Sequence, residues 1–188
     1  MLPVRLARPE DFTPREYDRA RGFKLLAHAE IEAFLEQRVV DTVNAAHTAW
    51  KCDQKPRHCL IALVAYREKG FGGVPASVTN DGKKSRDLLL RDRINEARKE
   101  FTTFVSQNNH GIREKNVLKL LLPVGLREHQ LPSDWLEQMN SFGDSRAEAA
   151  HGSAVKYRPD IKGEWEQVVA ILTGLKKVDQ ELTKLANK

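Results

Sequence analysis

The sequence predicts an all-α fold, a single-domain bundle of five to six helices, and three observations carry that prediction. Apolar residues return at intervals of three and four along most of the chain. No stretch of convincing two-residue alternation interrupts them, so no strand is expected. The length, 188 residues, suffices for one sizeable core that needs neither disulfides nor a structural metal to hold it. Residues 1–12 read as an N-terminal tail and residues 13–188 as the helical domain, without internal repeats.

The first helix opens at Thr13-Pro14-Arg15-Glu16, where a capping threonine, a proline at the first helical position and a glutamate placed to close a capping box coincide. Phe23, Ile31, Leu35, Val39, Val43, Ala46 and Trp50 sustain it for about 35 residues. Gln54-Lys55-Pro56 ends it, because proline disfavours the helical conformation in the residue before it. A second helix is expected over residues 57–69, followed by a long loop over residues 70–82 that is dense in Gly, Pro, Ser, Asn and Asp. Residues 85–108 restore the helical period, and Asn109-His110-Gly111 closes that helix. A shorter one carries Val117, Leu118, Leu120, Leu121 and Leu122 as far as Pro123 and Gly125. Leu131-Pro132-Ser133-Asp134 starts the next, which continues through Trp135, Met139 and Phe142 to His151-Gly152. The last spans about residues 162–186, with Val168, Ile171, Leu175, Val178, Leu182 and Leu185 on its apolar side.

Hydrophobic residues make up 40% and charged residues 30% of the chain, which excludes the disordered and low-complexity classes. The longest apolar run, from Cys59 to Tyr66, is far shorter than the ~20 residues of a membrane helix. The N-terminus lacks a signal-type apolar region, so the expected location is the cytoplasm, with Cys52 and Cys59 as reduced thiols. The net charge of +5 is concentrated in residues 83–127, where eleven basic residues face five acidic ones. That stretch is either a surface for a polyanion or a solvated helix face, since Asp87/Arg91 and Glu96/Lys99 have the spacing of helix-surface ion pairs.

The segment Ser145-Arg146-Ala147-Glu148-Ala149-Ala150-His151-Gly152 is the strongest candidate for chemistry. Arg146 continues the spacing of Trp135, Met139 and Phe142, which is expected to turn its guanidinium toward the bundle interior or a groove. His151 follows five positions later, about 140° round a regular helix, and Gly152 is expected to end the helix there. The two side chains therefore do not share a face, but a second copy of the segment across a symmetric interface brings an Arg and a His together. The same residues also suit a structural role, with His151 compensating the helix dipole and Arg146 in an ion pair. In the first helix, within Ala27-His28-Ala29-Glu30-Ile31-Glu32, Glu30 is expected on the apolar side and Glu32 nearer the edge. Glu30 is then a partner for Arg146, either holding its rotamer in a site or neutralising it.

The run Ala-His-Ala-Glu-Ile-Glu-Ala-Phe in the first helix, with Asp-Ser-Arg-Ala-Glu-Ala-Ala-His-Gly far downstream, resembles the HEPN superfamily (higher eukaryotes and prokaryotes nucleotide-binding), particularly its RiboL-PSP-type and related bacterial branches. The family hallmark is an Arg, four to six residues, then a His, and Arg146 and His151 match it with four between. The resemblance covers roughly residues 17–185. It implies an HEPN-like helical bundle, a homodimer with the two motifs facing each other, and a metal-independent endoribonuclease site that uses no cofactor. It also implies RNA as substrate, with Lys83, Lys84, Arg91 and Arg98 as the basic candidates for contacting it, and an antitoxin or defence-system protein as a further partner. One departure is Ala147, where the family often has a polar residue; some members are non-catalytic and bind RNA, a nucleotide or a partner protein.

Other constellations are weaker. Glu148-Ala-Ala-His151 matches the Glu-x-x-His of di-iron bundles, which need it on two helices, and this chain has it once. His47, Cys52, His58 and Cys59 bracket the first interhelical turn at spacings that fit no standard zinc pattern. Asp81-Gly82-Lys83-Lys84-Ser85 resembles the end of a phosphate-binding loop, but Ser77 stands where its first Gly belongs and Lys84 where its Ser or Thr belongs.

Overall fold

A computed structural model describes residues 12–67, 90–151 and 160–187. They form six α-helices: α1 (Pro14–Asp53), α2 (His58–Tyr66), α3 (Leu90–Asn108), α4 (Glu114–Leu121), α5 (Ser133–His151) and α6 (Ile161–Asn187), with a single 3-10 turn at Glu128–Gln130. There is no strand among the described residues. The all-α bundle expected from the sequence is the fold of the protein.

The N-terminus of α1 is set by Glu16, whose carboxylate accepts hydrogen bonds from both the backbone N–H and the hydroxyl of Thr13 at 2.8 Å. Those bonds also hold the Glu16 carboxyl below its ordinary range. At the far end Gln54 takes a left-handed conformation (φ 58°) and its N–H returns to the Trp50 carbonyl at 2.8 Å, closing the helix one residue before Lys55-Pro56. At 40 residues α1 is the longest of the described helices. The segments 70–82 and 85–89, expected as a loop and a helix start, lie outside the described residues.

α1 packs against every other helix: its contact with α6 runs from Lys24 to Arg38, α5 meets it at Arg21 and His28, and α3 meets its C-terminal part at Asn44 and His47. Lys24 meets Glu164 and Arg38 meets Asp179, so residue numbers rise together and α1 and α6 run parallel. Arg21 meets Ala149 while His28 meets Phe142, so α5 runs antiparallel to α1. One contiguous core includes Ile31, Leu35, Val39 and Val43 of α1, Phe101 of α3, Leu120 of α4, Met139 and Phe142 of α5, and Ile171 and Leu182 of α6. Each fully buried side chain of this size contributes about 1.5–3 kcal/mol. α5 and α6 approach closely where the Trp135 ring lies on Gly174 and donates its indole N–H to the Ile171 carbonyl at 3.0 Å. A Cβ on Gly174 would stand 2.1 Å from Trp135 Cδ1, so only glycine admits the ring.

A candidate site on the seam between α1 and α5

Four side chains at intervals of three and four along α1, Arg21, Lys24, His28 and Glu32, line its contact with α5 and α6. Lys24 is only 1% exposed. Its Nζ lies 2.5 Å from Glu164 Oε1 of α6 and 5.6 Å above the centre of the Phe142 ring of α5. One turn further along, the buried His28 ring stacks on the same Phe142 at 6.3 Å between ring centres. Its Nδ1 lies 3.6 Å from Glu32 Oε2, and the other Glu32 oxygen accepts the backbone N–H of Gly111. A Glu32 carboxylate that faces both an imidazole and a backbone donor ties the turn between α3 and α4 to this seam. The next carboxylate on the face, Glu36, accepts from the Asn109 side chain at 2.9 Å. The seam is thus graded, cationic toward the N-terminus of α1 and anionic toward the turn at residues 109–111.

Burial pushes the His28 imidazole below its usual pKa; the Glu32 carboxylate partly opposes this and the Arg146 guanidinium adds to it. The shift favours the neutral imidazole. Arg146 acts on it from α5, four residues beyond the Phe142 on which His28 stacks.

At the C-terminal end of α5, Arg21 donates from Nε at 3.2 Å and Nη2 at 3.0 Å to the carbonyl oxygen of Ala149, which is fully buried. His151 is the last described residue of α5, and Gly152, expected to end the helix, lies outside the described residues. Its side chain lies outside the described residues.

Two expectations from the sequence are corrected here. Arg146 follows the spacing of Trp135, Met139 and Phe142, yet it is exposed; the buried positions of the last turns of α5 are Phe142, Gly143 and Ala149. Approaching its end, α5 turns a narrower stripe inward, and Arg146 sits on the border facing solvent. Glu30, expected on the apolar side of α1, is exposed, and Glu32 takes the inward place. Both flank the buried line of Ile31 and Leu35. What separates them is that the apolar residues on the Glu30 side, Leu26 and Phe34, are themselves exposed, at 51% and 39%. They drew the apparent apolar face toward solvent.

The basic candidates are dispersed. Lys83 and Lys84 lie outside the described residues. Arg91 is exposed, with Nε 3.5 Å from Asp92. Arg98 is half-buried and donates to Asn44 of α1 at 3.0 Å, tying α3 to α1. Beside it the buried His47 bonds through Nε2 to Asn95 Oδ1 at 2.8 Å, and burial lowers its pKa against the opposing effect of that bond. Glu96, expected to pair with Lys99, instead receives Arg67 of α2 at 2.6 Å, and Glu100 binds the same guanidinium. Cys59 is fully buried and its thiol is pushed up to about 12 by burial, while Cys52 is exposed. Among the described residues no group of three or more His, Cys, Asp and Glu side chains is placed to hold a metal ion. No helix among them is long and apolar enough to cross a membrane.

Sequence reasoning missed Arg21, Lys24, His28 and Glu32 as a set, together with Glu164. Their regular spacing was visible, but a run of ionisable residues at helical spacing normally marks the solvent face. A separate apolar groove of about 530 Å³ lies on α2, α3 and α4, lined by Leu63, Tyr66, Phe101, Phe104, Leu122 and Pro123. The seam belongs to α1, α5 and α6.

Comparison of the chain with known proteins gives no matching family model, no matching curated protein and no matching solved structure.

Proposed function

We propose that this protein is a metal-independent endoribonuclease of the HEPN type, acting as a homodimer, with Arg146 and His151 at the end of α5 as its reacting pair. The observation that carries the reading is local. An arginine, exposed and so open to a phosphate, stands five residues before a histidine on the same helix, in an all-α bundle. Arg146 would bind the scissile phosphodiester bidentately and offset the negative charge that builds on it. His151, a side-chain type that can take and return a proton near neutral pH, would take the proton from a ribose 2′-hydroxyl. The 2′-oxygen then bonds to phosphorus, the bond from phosphorus to the 5′-oxygen breaks, and the His151 imidazolium of the second copy returns a proton to that leaving oxygen. The products are a 2′,3′-cyclic phosphate and a 5′-hydroxyl. An RNase of this kind suits the toxin of a toxin–antitoxin or phage-defence module, located in the cytoplasm and held in check by a partner protein.

The test is cleavage of RNA by the purified protein in EDTA. The expected result is a ladder of cyclic-phosphate ends from wild type and none from His151→Ala. Wild type and His151→Ala that are equally inert, or equally active, would remove the assignment. Ala147 favours a second reading, in which the same surface binds RNA, a nucleotide or a partner protein without turnover. Salt-dependent RNA binding without cleavage would select it.

A further inference from the structure

Close to the last described residue of α5, the carbonyl of Ala149 is met by a side chain 128 positions earlier in the sequence. Arg21 closes two N–H groups of its guanidinium on that oxygen, at 3.2 and 3.0 Å. The contact is buried at Ala149 and partly buried at Arg21, whose side chain is 22% exposed. Two donors from a planar fork fix the carbonyl in direction as well as distance, which a single ammonium contact does not. Three residues on, Lys24 is buried against Glu164 and Phe142, so the part of α1 that carries Arg21 is itself fixed to both neighbouring helices.

We propose that Arg21 is a positioning residue for the Arg146–His151 site, clamping the stretch of α5 between them onto α1. Ala149 lies three residues after Arg146 and two before His151, so one clamp fixes the backbone that carries both. This rests on the reading of Arg146 and His151 as the reacting pair. The clamp does not touch RNA. It holds the backbone of the two groups that do, and removing it loosens this stretch while the rest of the bundle stays folded. A displacement of about 1 Å at a reacting group costs on the order of 10²-fold in rate.

Two measurements on the full-length protein test this, one independent of RNA. Amide hydrogen exchange is compared across wild type, Arg21→Met and Arg21→Lys. The expected result is exchange at least about tenfold faster in Arg21→Met at residues 147–151, with α1, α3 and α6 unchanged, and partial recovery in Arg21→Lys. Single-turnover and steady-state cleavage of a single-stranded oligoribonucleotide in EDTA is then measured. The expected result is kcat lower by about 10²-fold with KM within a few-fold, and a displaced pH–rate profile. Unchanged exchange at residues 147–151, or faster exchange spread equally over all helices, would overturn the clamp. So would cleavage unchanged in Arg21→Met. If wild type cleaves no RNA but the local exchange effect is found, the clamp stands and the ribonuclease reading is what fails.

Discussion

Lys24 and Glu164 join the first and last helices through a contact of 2.5 Å between Nζ and Oε1, with side chains only 2% and 12% exposed. A charge pair taken this far out of water offsets much of its own attraction by desolvation, so its net contribution is modest. Its consequences appear when one member is removed. Glu164→Ala leaves a buried ammonium against Phe142 and is expected to cost about 3–5 kcal/mol. Replacing both residues, Lys24→Met with Glu164→Leu, should recover most of that loss. Urea denaturation of the three variants measures this, and a double variant as unstable as Glu164→Ala alone would show that the pair itself stabilises the bundle.

Gly174 under the Trp135 ring makes a second prediction. Gly174→Ala places a methyl group where the indole Cδ1 lies and should destabilise the protein by about 1–3 kcal/mol or more, through overpacking at the crossing of α5 and α6. Alanine at exposed positions of α6 should be close to neutral. Thermal melts followed by circular dichroism would show the difference, and a Gly174→Ala protein as stable as wild type would contradict the close crossing.

Two buried histidines give stability a slope in pH. His28 and His47 are both 5% exposed and both held below their ordinary pKa of ~6.5 by burial. The unfolded chain binds their protons near pH 6.5, while the folded chain does not until lower pH. Stability should therefore be full above about pH 7 and fall as the pH drops through 6.5 and below. His28→Gln and His47→Gln should each flatten that slope. Denaturant midpoints at pH 7.5 and 5.5 measure it, and a protein equally stable at both would show that neither imidazole is protonated on unfolding.

Because Arg146 is exposed, Arg146→Ala should change stability by less than about 0.5 kcal/mol. If Arg146 binds phosphate as proposed, the same change should abolish cleavage, and it should reduce the salt dependence of RNA binding by about one unit of slope. Melting temperature and a salt titration on one protein sample separate the two roles. A large loss of melting temperature would instead make Arg146 structural.

The thiols offer a simpler check. Cys52 is exposed, while Cys59 is fully buried with its pKa at about 12, so the native protein should present one rapidly reacting thiol and the denatured protein two.

Much of the architecture was legible because the signals were chemical and local. Thr13, Pro14 and Glu16 mark the start of α1, and the Lys55-Pro56 step and a left-handed Gln54 mark its end. The site was less legible because it depends on which helix lies on which side. Glu30 and Glu32 are two residues apart on one helix, and periodicity alone placed the wrong one inward. The deciding facts are the N–H of Gly111, 79 residues downstream of Glu32, and exposed apolar side chains at Leu26 and Phe34. Gly174, a lone glycine within an otherwise regular helix, was a signal of close packing that was open to reading from the sequence.

The parallel pairing of α1 and α6 bears on how the molecule is made. Lys24 waits for Glu164, 140 positions later, and Arg38 waits for Asp179, 141 positions later. On the ribosome α1 is synthesised before the helices it packs against, and the strip of cations and carboxylates along it stays hydrated until α6 emerges. Closure of the bundle is then a late, long-range event, slower than the hairpin-like docking of α2 on α3. Ribosome-stalled chains should gain protease resistance abruptly once residues 161–187 have cleared the exit tunnel, rather than helix by helix.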